Sequence, residues 1–289
     1  MNDGSDQFKL DSLFGVLEFK GIDAREFLHA QLSADINRLA AGESRLAAYC
    51  QPDGRALAVV LVVCVADGHF IMLLSRQLCA GIARRLRMFI LRARLEVNEV
   101  SRLYRVLGSG EQADIQPAIH IPLGGQTKRR LILYPANFGL PEEFTAQLLD
   151  ETAWRRQDME LGLSWLYPAS SGHFLPQMLG LLELAAIDFD KGCYPGQEVI
   201  AKIHYRGSVK RRLVQVSIEG NGAIDLPAEI AAAGSGDAAK KAGWLIEALP
   251  SRDSKQTGLA VLNLSAINRD QLLRLADGRR INRLHITGN

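Results

Sequence analysis

No two cysteines in this chain are spaced to hold a metal. The four thiols stand at positions 50, 64, 79 and 193, which makes neither a CxxC nor a zinc-type pattern. No metal site built from this sequence alone is expected. An excess of one charge is also lacking: 34 Lys and Arg face 32 Asp and Glu, a net +2, so any basic surface must be local. The N-terminal stretch has neither a basic n-region nor an apolar h-region, and no signal peptide is expected. The longest apolar run, Ala56 to Ala66, is about half of a membrane span and reads as a buried strand. Neither an internal repeat nor a low-complexity tract is visible. These absences predict a cytoplasmic protein with reduced thiols and no membrane partner.

What is present fits an ordinary globular chain of about two domains: 289 residues, 47% hydrophobic and 23% charged. Residues 13–20 alternate as a strand that ends at Gly21, and Asp23 can cap a helix carrying Phe27, Leu28, Leu32, Ile36 and Leu39. Strands at 46–50 and 55–66 flank the Gln51-Pro52-Asp53-Gly54 turn, and Asp67-Gly68 leads into another strand at 69–74. A helix over 76–91 and a strand over 94–100 complete an α+β unit with an antiparallel sheet of ferredoxin-like flavour. Strands near 117–122 and 129–134 and an amphipathic helix over 142–161 follow. From Leu213 the pattern is short strands at 213–219, 242–248, 257–264 and 281–286, an all-β closing unit. Gly234-Ser235-Gly236 lacks the strand–turn–helix context of a phosphate loop and reads as a surface loop.

The most informative stretch is Lys191-Gly192-Cys193-Tyr194-Pro195-Gly196-Gln197-Glu198. Pro195 suits the first position of a helix, which would put Cys193 within a residue or two of the N-cap. Unpaired amides and the helix dipole favour an anion there. With Lys191 alongside, both effects favour the thiolate. The plain alternative is a small buried cysteine in a tight turn. Cys64 is expected in a strand core, Cys79 in a helix and Cys50 at a strand end. No histidine stands out as a base for the thiol: His204 lies eleven residues on, at the far end of the same helix, and His173 approaches only through a loop. A Cys–His hydrolase needs the imidazole within hydrogen-bond reach.

Those eight residues, with Tyr205-Arg206-Gly207 and Lys210-Arg211 after them, resemble the signature of the YgfZ-type folate-binding proteins. That family is related to the glycine-cleavage T-protein, an aminomethyltransferase, and is linked to iron–sulfur cluster maintenance and tRNA modification. Further resemblance lies in Gly21-Ile22-Asp23-Ala24, Phe27-Leu28, Gln31 to Asp35, Ala48 to Arg55, Met159 to Gly162 and Phe174-Leu175-Pro176-Gln177. The likeness covers residues about 13 to 212 and fades to pattern in the last eighty or so.

The resemblance implies an α+β fold, a T-protein-like ring of two antiparallel-sheet, ferredoxin-like domains closed by a C-terminal β-barrel. Residues 1–46 and 115–207 would form a discontinuous folate-binding domain, 47–114 an inserted domain, and 208–289 the barrel. It implies tetrahydrofolate or a one-carbon derivative as bound cofactor, in a polyglutamylated form where the basic cluster holds its tail. Iron–sulfur client or assembly proteins would be partners, with a weak tRNA contact besides. Cys193 would be the functional thiol and Lys191 its electrostatic partner. Phe14 and Trp154 would stack on the pterin, Glu160 and Gln177 would accept at its edge, and Tyr194 and Arg206 would complete the site.

Each of these has a plainer reading: a core aromatic, a solvated helix-end charge. Six Lys or Arg against Glu198 alone between Lys191 and Arg212 would draw a polyglutamate tail or an RNA backbone. Arg84, Arg85, Arg87, Arg92 and Arg94 add basic charge, but no aromatic run accompanies them, so base-specific RNA reading is not predicted. One departure from the T-protein pattern matters. Where that enzyme carries acidic residues after the hairpin glycine, Gly54 is followed here by Arg55-Ala56-Leu57-Ala58-Val59. Folate binding without aminomethyl transfer is the expectation, against the alternatives of an active one-carbon transferase or a direct tRNA-modifying factor.

Overall fold

The computed structural model describes residues 7–110, 115–123, 128–140, 148–232, 240–251, 254–268 and 271–284. The first elements are β1 (Gln7–Lys9), β2 (Phe14–Lys20), α1 (Ala24–Gln31), β3 (Ser44–Cys50), β4 (Ala56–Ala66) and β5 (His69–Ser75). Next come α2 (Arg76–Arg87), β6 (Glu96–Glu99), β7 (Tyr104–Ser109), β8 (Ile119–Pro122), β9 (Arg130–Pro135) and β10 (Leu148–Leu149). Two helices follow, α3 (Glu151–Glu160) and α4 (Gln197–Arg206). The last part holds β11 (Arg211–Glu219), β12 (Ala228–Ala232), β13 (Lys240–Pro250), β14 (Lys255–Asn263), α5 (Leu264–Asn268), β15 (Leu273–Leu275) and β16 (Arg280–Arg283).

The strands form two five-stranded sheets, ordered β3-β4-β5-β2-β6 and β10-β1-β7-β9-β8, and a closed barrel β11-β14-β13-β12-β15-β16. Every pairing is antiparallel except β1 with β10. The antiparallel α+β architecture and the closing barrel are thus as the sequence implied. The strand pairing runs across the implied domain limits. A cut between residues 46 and 47 falls inside β3, and β2 pairs along its whole length with β5. Residues 14–99 therefore share one sheet, while β7, placed in the inserted domain by the resemblance, belongs to the other.

The apolar run in β4 follows from its position. Val59, Leu61 and Val63 enter one core, with Phe14, Val16, Leu131 and Trp154. The alternate residues Ala58, Val60, Val62 and Cys64 enter another, with Phe27 and Leu28 of α1 and Ile82 and Leu86 of α2. A strand covered on both faces needs no polar alternation. Each buried aliphatic side chain contributes about 1.5–3 kcal/mol, so this sheet anchors the first hundred residues.

Of the helix expected over 142–161, residues 142–147 lie outside those described, Leu148–Leu149 form β10, and α3 starts at Glu151, with the Asp150 side chain accepting from the Ala153 amide as its cap. The Gly234-Ser235-Gly236 loop lies outside the described residues. β12 and β15 were not anticipated; both are short, and they close the barrel.

Candidate functional site

The loop before α4 is held from several sides. Gly196 adopts φ 84°, and a Cβ there would stand 2.5 Å from the Gln51 carbonyl oxygen and 2.6 Å from Gly54 Cα. The loop thus rests on the β3–β4 turn as only glycine permits. Gly196 is the N-cap and the helix starts at Gln197, so Pro195 lies outside it. Cys193 stands three residues before the cap, farther from the helix amides than the sequence suggested. It is nevertheless exposed, whereas Cys50, Cys64 and Cys79 are buried. Burial raises the Cys50 thiol, and pushes Cys79 up to about 11.

Lys191 has a different role from the one expected. It is 8% exposed. Its Nζ donates to the main-chain oxygens of His29, Leu32 (2.5 Å) and Ala34 (3.1 Å) at the end of α1 and just beyond. An ammonium has three N–H donors, and all are committed to carbonyls rather than to the thiol. Burial pushes the ammonium down to about 8, with Asp35 and Asp188 acting in the opposite direction. Lys191 therefore ties the loop to α1. We expect Lys191→Met to cost about 2–4 kcal/mol in urea unfolding, since it strands those carbonyls. The native state depresses this pKa, so burying the ammonium carries a cost that is relieved as pH rises from about 8 toward the unfolded value, and wild-type stability climbs across that window. The stability gap between wild type and Lys191→Met should accordingly widen as pH rises from about 8 toward about 10. A constant gap across that window would contradict this.

Of the other residues implied by the resemblance, Tyr194 is buried, 5.0 Å from Lys191 Nζ to the ring centroid. Its hydroxyl has no hydrogen-bond partner among the described residues, and burial raises its pKa. Gln177 is buried, its Nε2 donating to the Ile200 carbonyl of α4 at 2.8 Å while its Oε1 is without a partner among the described residues. Arg206 ends α4 in solvent, and Glu160 ends α3 in solvent. Lys191, Cys193, Tyr194, Gln177 and Arg206 thus gather around the loop and α4. Phe14 and Trp154 are closed into the core and present no face to a ligand. Phe14 is 1% exposed, edge-on to Trp165 at 4.8 Å. Trp154 is 0% exposed, between Phe8 at 5.1 Å and the Arg129 guanidinium at 3.8 Å, with its ring against Gly108. A Cβ on Gly108 would come within 2.4 Å of the indole, which fixes the ring as a packing element.

Three arrangements were not foreseen. Asp158 is fully buried and accepts from Arg129 Nη1 at 2.7 Å and Trp165 Nε1 at 3.0 Å. It lies one turn after Trp154 on the inward side of α3, a spacing the sequence does show. His29 Nδ1 faces Asp35 Oδ1 at 3.2 Å, and its Nε2 lies beside Gly192; burial, then Lys191, holds this imidazole below its usual value. Third, a cavity of about 240 Å³ opens where α2, α3, the segment after α3 and the barrel meet. Gln77, Arg155, Tyr167, Ile246 and Glu247 are among its lining residues. Glu247 Oε1 accepts from Arg155 Nε at 2.8 Å, and the ion pair brings Nη2 to 2.8 Å from the same oxygen. Burial pushes the Glu247 carboxyl up to about 7, with Arg155 opposing. Among the described residues no group of His, Cys, Asp and Glu forms a metal site, and no helix is long and apolar enough to cross a membrane.

Comparison with known proteins places these features. A tRNA-modifying protein YgfZ from Edwardsiella ictaluri is 28% identical over 291 residues, covering 91% of this chain and 86% of its own length. The Colwellia psychrerythraea protein of the same name is 24% identical over 223 residues, 70% of this chain and 68% of that one. The chain belongs to the YgfZ-type, T-protein-like family. An uncharacterized protein of Haemophilus influenzae is 30% identical over 227 residues, 78% of each chain. The fold is that of the glycine cleavage system aminomethyltransferase T from Bartonella henselae, with a TM-score of 0.75 over 98% of this chain and 86% of that one at 13% identity. No protein-family model matches the sequence.

Proposed function

We propose that this chain is a cytoplasmic tetrahydrofolate-binding protein that supports iron–sulfur cluster assembly or repair and, through it, tRNA modification. The observation that carries the reading is the Cys193 loop. Gly196, Lys191 and buried Tyr194 fasten the loop on both sides of the thiol and leave the thiol itself in solvent. A loop held this firmly presents a nucleophile or ligand atom at a fixed place, as thiol chemistry with a partner requires. Relatives named as tRNA-modifying proteins and the aminomethyltransferase fold support the context.

The cavity fits a reduced pterin better than the aromatic pair implied by the resemblance. It is concave and part apolar, and a few polar groups converge on it. Its volume of about 240 Å³ suits a bicyclic head, with the rest of the folate leaving through the mouth. Folate supplies one-carbon chemistry when bound; Glu247, Arg155 and Tyr167 would hold and orient it. The rival reading, an active aminomethyltransferase, is disfavoured at the β3–β4 turn. There Arg55 donates to the His173 carbonyl at 2.5 Å and no carboxylate stands in positions 55–59.

Calorimetry with a reduced folate should show saturable binding, on the order of micromolar for a modest pocket. The protein should at the same time fail to transfer an aminomethyl group when mixed with the other glycine-cleavage components. Absence of folate binding would remove the ligand. Turnover near one per second, ordinary for a slow enzyme, would restore the transferase.

A further inference from the structure

We infer that Phe189, His204 and Tyr205 form a stacking platform for an unpaired RNA base, beside a basic track that holds the phosphates of the same strand. This goes beyond the reading above, in which tRNA is reached only through iron–sulfur enzymes: here the chain itself touches RNA.

The rings come together only in the fold. Phe189, just before the Cys193 loop, lies flat against His204 of α4, with centroids 3.9 Å apart and planes at 14°. Tyr205 stands across both, 5.7 Å from Phe189 at 67° and 4.8 Å from His204 at 77°. Phe189 is half-buried and packs on the largest core, so it anchors the group and backs the imidazole. His204 is exposed, and Tyr205 is 64% exposed. Exposed rings held in fixed geometry offer faces on which a splayed-out base can stack, whatever its identity.

Charge selects the occupant. Residues 199–218 hold five Lys or Arg and no Asp or Glu. Arg211 Nε is spent on Asn263 Oδ1 at 3.0 Å. The other four, Lys202, Arg206, Lys210 and Arg212, are exposed, and none joins a salt bridge among the described residues. Lys202 and Arg206 are one turn apart on α4. Lys210 and Arg212, two apart at the entry to β11, project to one side. Asp190 and Glu198, the nearest acids in sequence, flank the Cys193 loop, so the phosphate track runs from α4 toward β11. A lipid surface would ask for aliphatic side chains, and an acidic peptide would leave the open ring faces without a use. Rings beside unpaired cations fit a single strand of RNA. With ten residues, α4 is about 15 Å long, so RNA and the thiol loop are presented at the two ends of one short helix.

The test is fluorescence anisotropy of the full chain with a labelled oligoadenylate of about ten nucleotides, and with an abasic ribose–phosphate strand of equal length. Oligoadenylate should bind with a Kd on the order of micromolar at about 50 mM salt. Log affinity should fall against log salt with a slope of about −3, four phosphates at about −0.7 each. The abasic strand should bind about tenfold or more weakly. Tyr205→Ala should weaken oligoadenylate about tenfold, leave the abasic strand unchanged, and bind a reduced folate as the wild type does. Lys210→Ala should weaken both strands alike and reduce the slope by about 0.7. Should either variant fail to fold, the two strands and the salt slope decide the matter on the wild type. Equal binding of the two strands would reduce the surface to an anion patch and overturn the platform. Displacement of oligoadenylate by an equal concentration of pentaglutamate would give the cations to a folate tail and overturn the RNA track. No binding of oligoadenylate at about 50 mM salt would overturn the whole inference, with folate binding untouched.

Discussion

Iodoacetamide should label Cys193 in the native protein at least about a thousandfold faster than Cys50, Cys64 or Cys79. The basis is access. Cys193 is exposed and the other three are buried in strands and in α2. A buried thiol reacts only through an opening, and an opening that costs even about 4 kcal/mol slows reaction about a thousandfold. Mass spectrometry of tryptic peptides over time gives the ratio directly. Cys193→Ser should leave the melting temperature within about a degree, because an exposed side chain off the packing contributes little to stability. The same variant should lose the ability to restore iron–sulfur enzyme activity in cells deprived of the protein. Full complementation by Cys193→Ser would reduce the loop to a structural turn, whatever its labelling rate.

Asp158→Ala should destabilise the protein by about 3–5 kcal/mol, the usual cost of leaving one half of a buried ion pair. The carboxylate holds Arg129, whose guanidinium covers the Trp154 ring at 3.8 Å, and it also receives the Trp165 indole N–H. Removing it strands a buried donor, and takes the carboxylate from the arginine that closes one side of the core tryptophan. The loss is read from urea unfolding followed by tryptophan fluorescence. Asp158→Asn keeps one acceptor and the shape, and should recover part of the difference. If Asp158→Ala unfolds within about 1 kcal/mol of wild type, the network is decoration rather than support.

Much of the first sheet could be read from sequence because its signals are local. β3, β4 and β5 are apolar runs joined by turns at Gly54 and Gly68, both of which adopt positive φ. Asp23 marks the start of α1, although no side-chain cap bond forms there. The site was legible at Cys193 and illegible around it. Lys191 looked like a partner for the thiol because the two are near neighbours in sequence. Its true acceptors, the carbonyls at 29, 32 and 34, lie about 160 residues away and carry no residue-type signature. The start of α4 was misplaced by two residues because Pro195 is a common first helical residue. The contact that decides the matter, Gly196 against the β3–β4 turn, is tertiary. Trp154 was placed by resemblance at a ligand face, whereas Phe8, Gly108 and Arg129 close around it from distant strands and loops. Glu247 and Arg155, 92 residues apart, meet only once the barrel docks.

The two strands nearest the N-terminus have a consequence for synthesis on the ribosome. β1 and β2 are separated only by Leu10 to Leu13, yet β1 sits between β10 and β7, and β2 between β5 and β6. The partners of β2 are complete once Glu99 has been translated, while β1 waits for Leu149. At about 5–20 residues per second that interval lasts about 3–10 s. During it the nascent chain carries one finished sheet tethered to a strand whose edge is unpaired, an invitation to pairing with a neighbouring chain. Slow codons or a pause within that window would lengthen the exposure, so folding yield should respond to translation speed there more than in the barrel, whose strands are made together at the end.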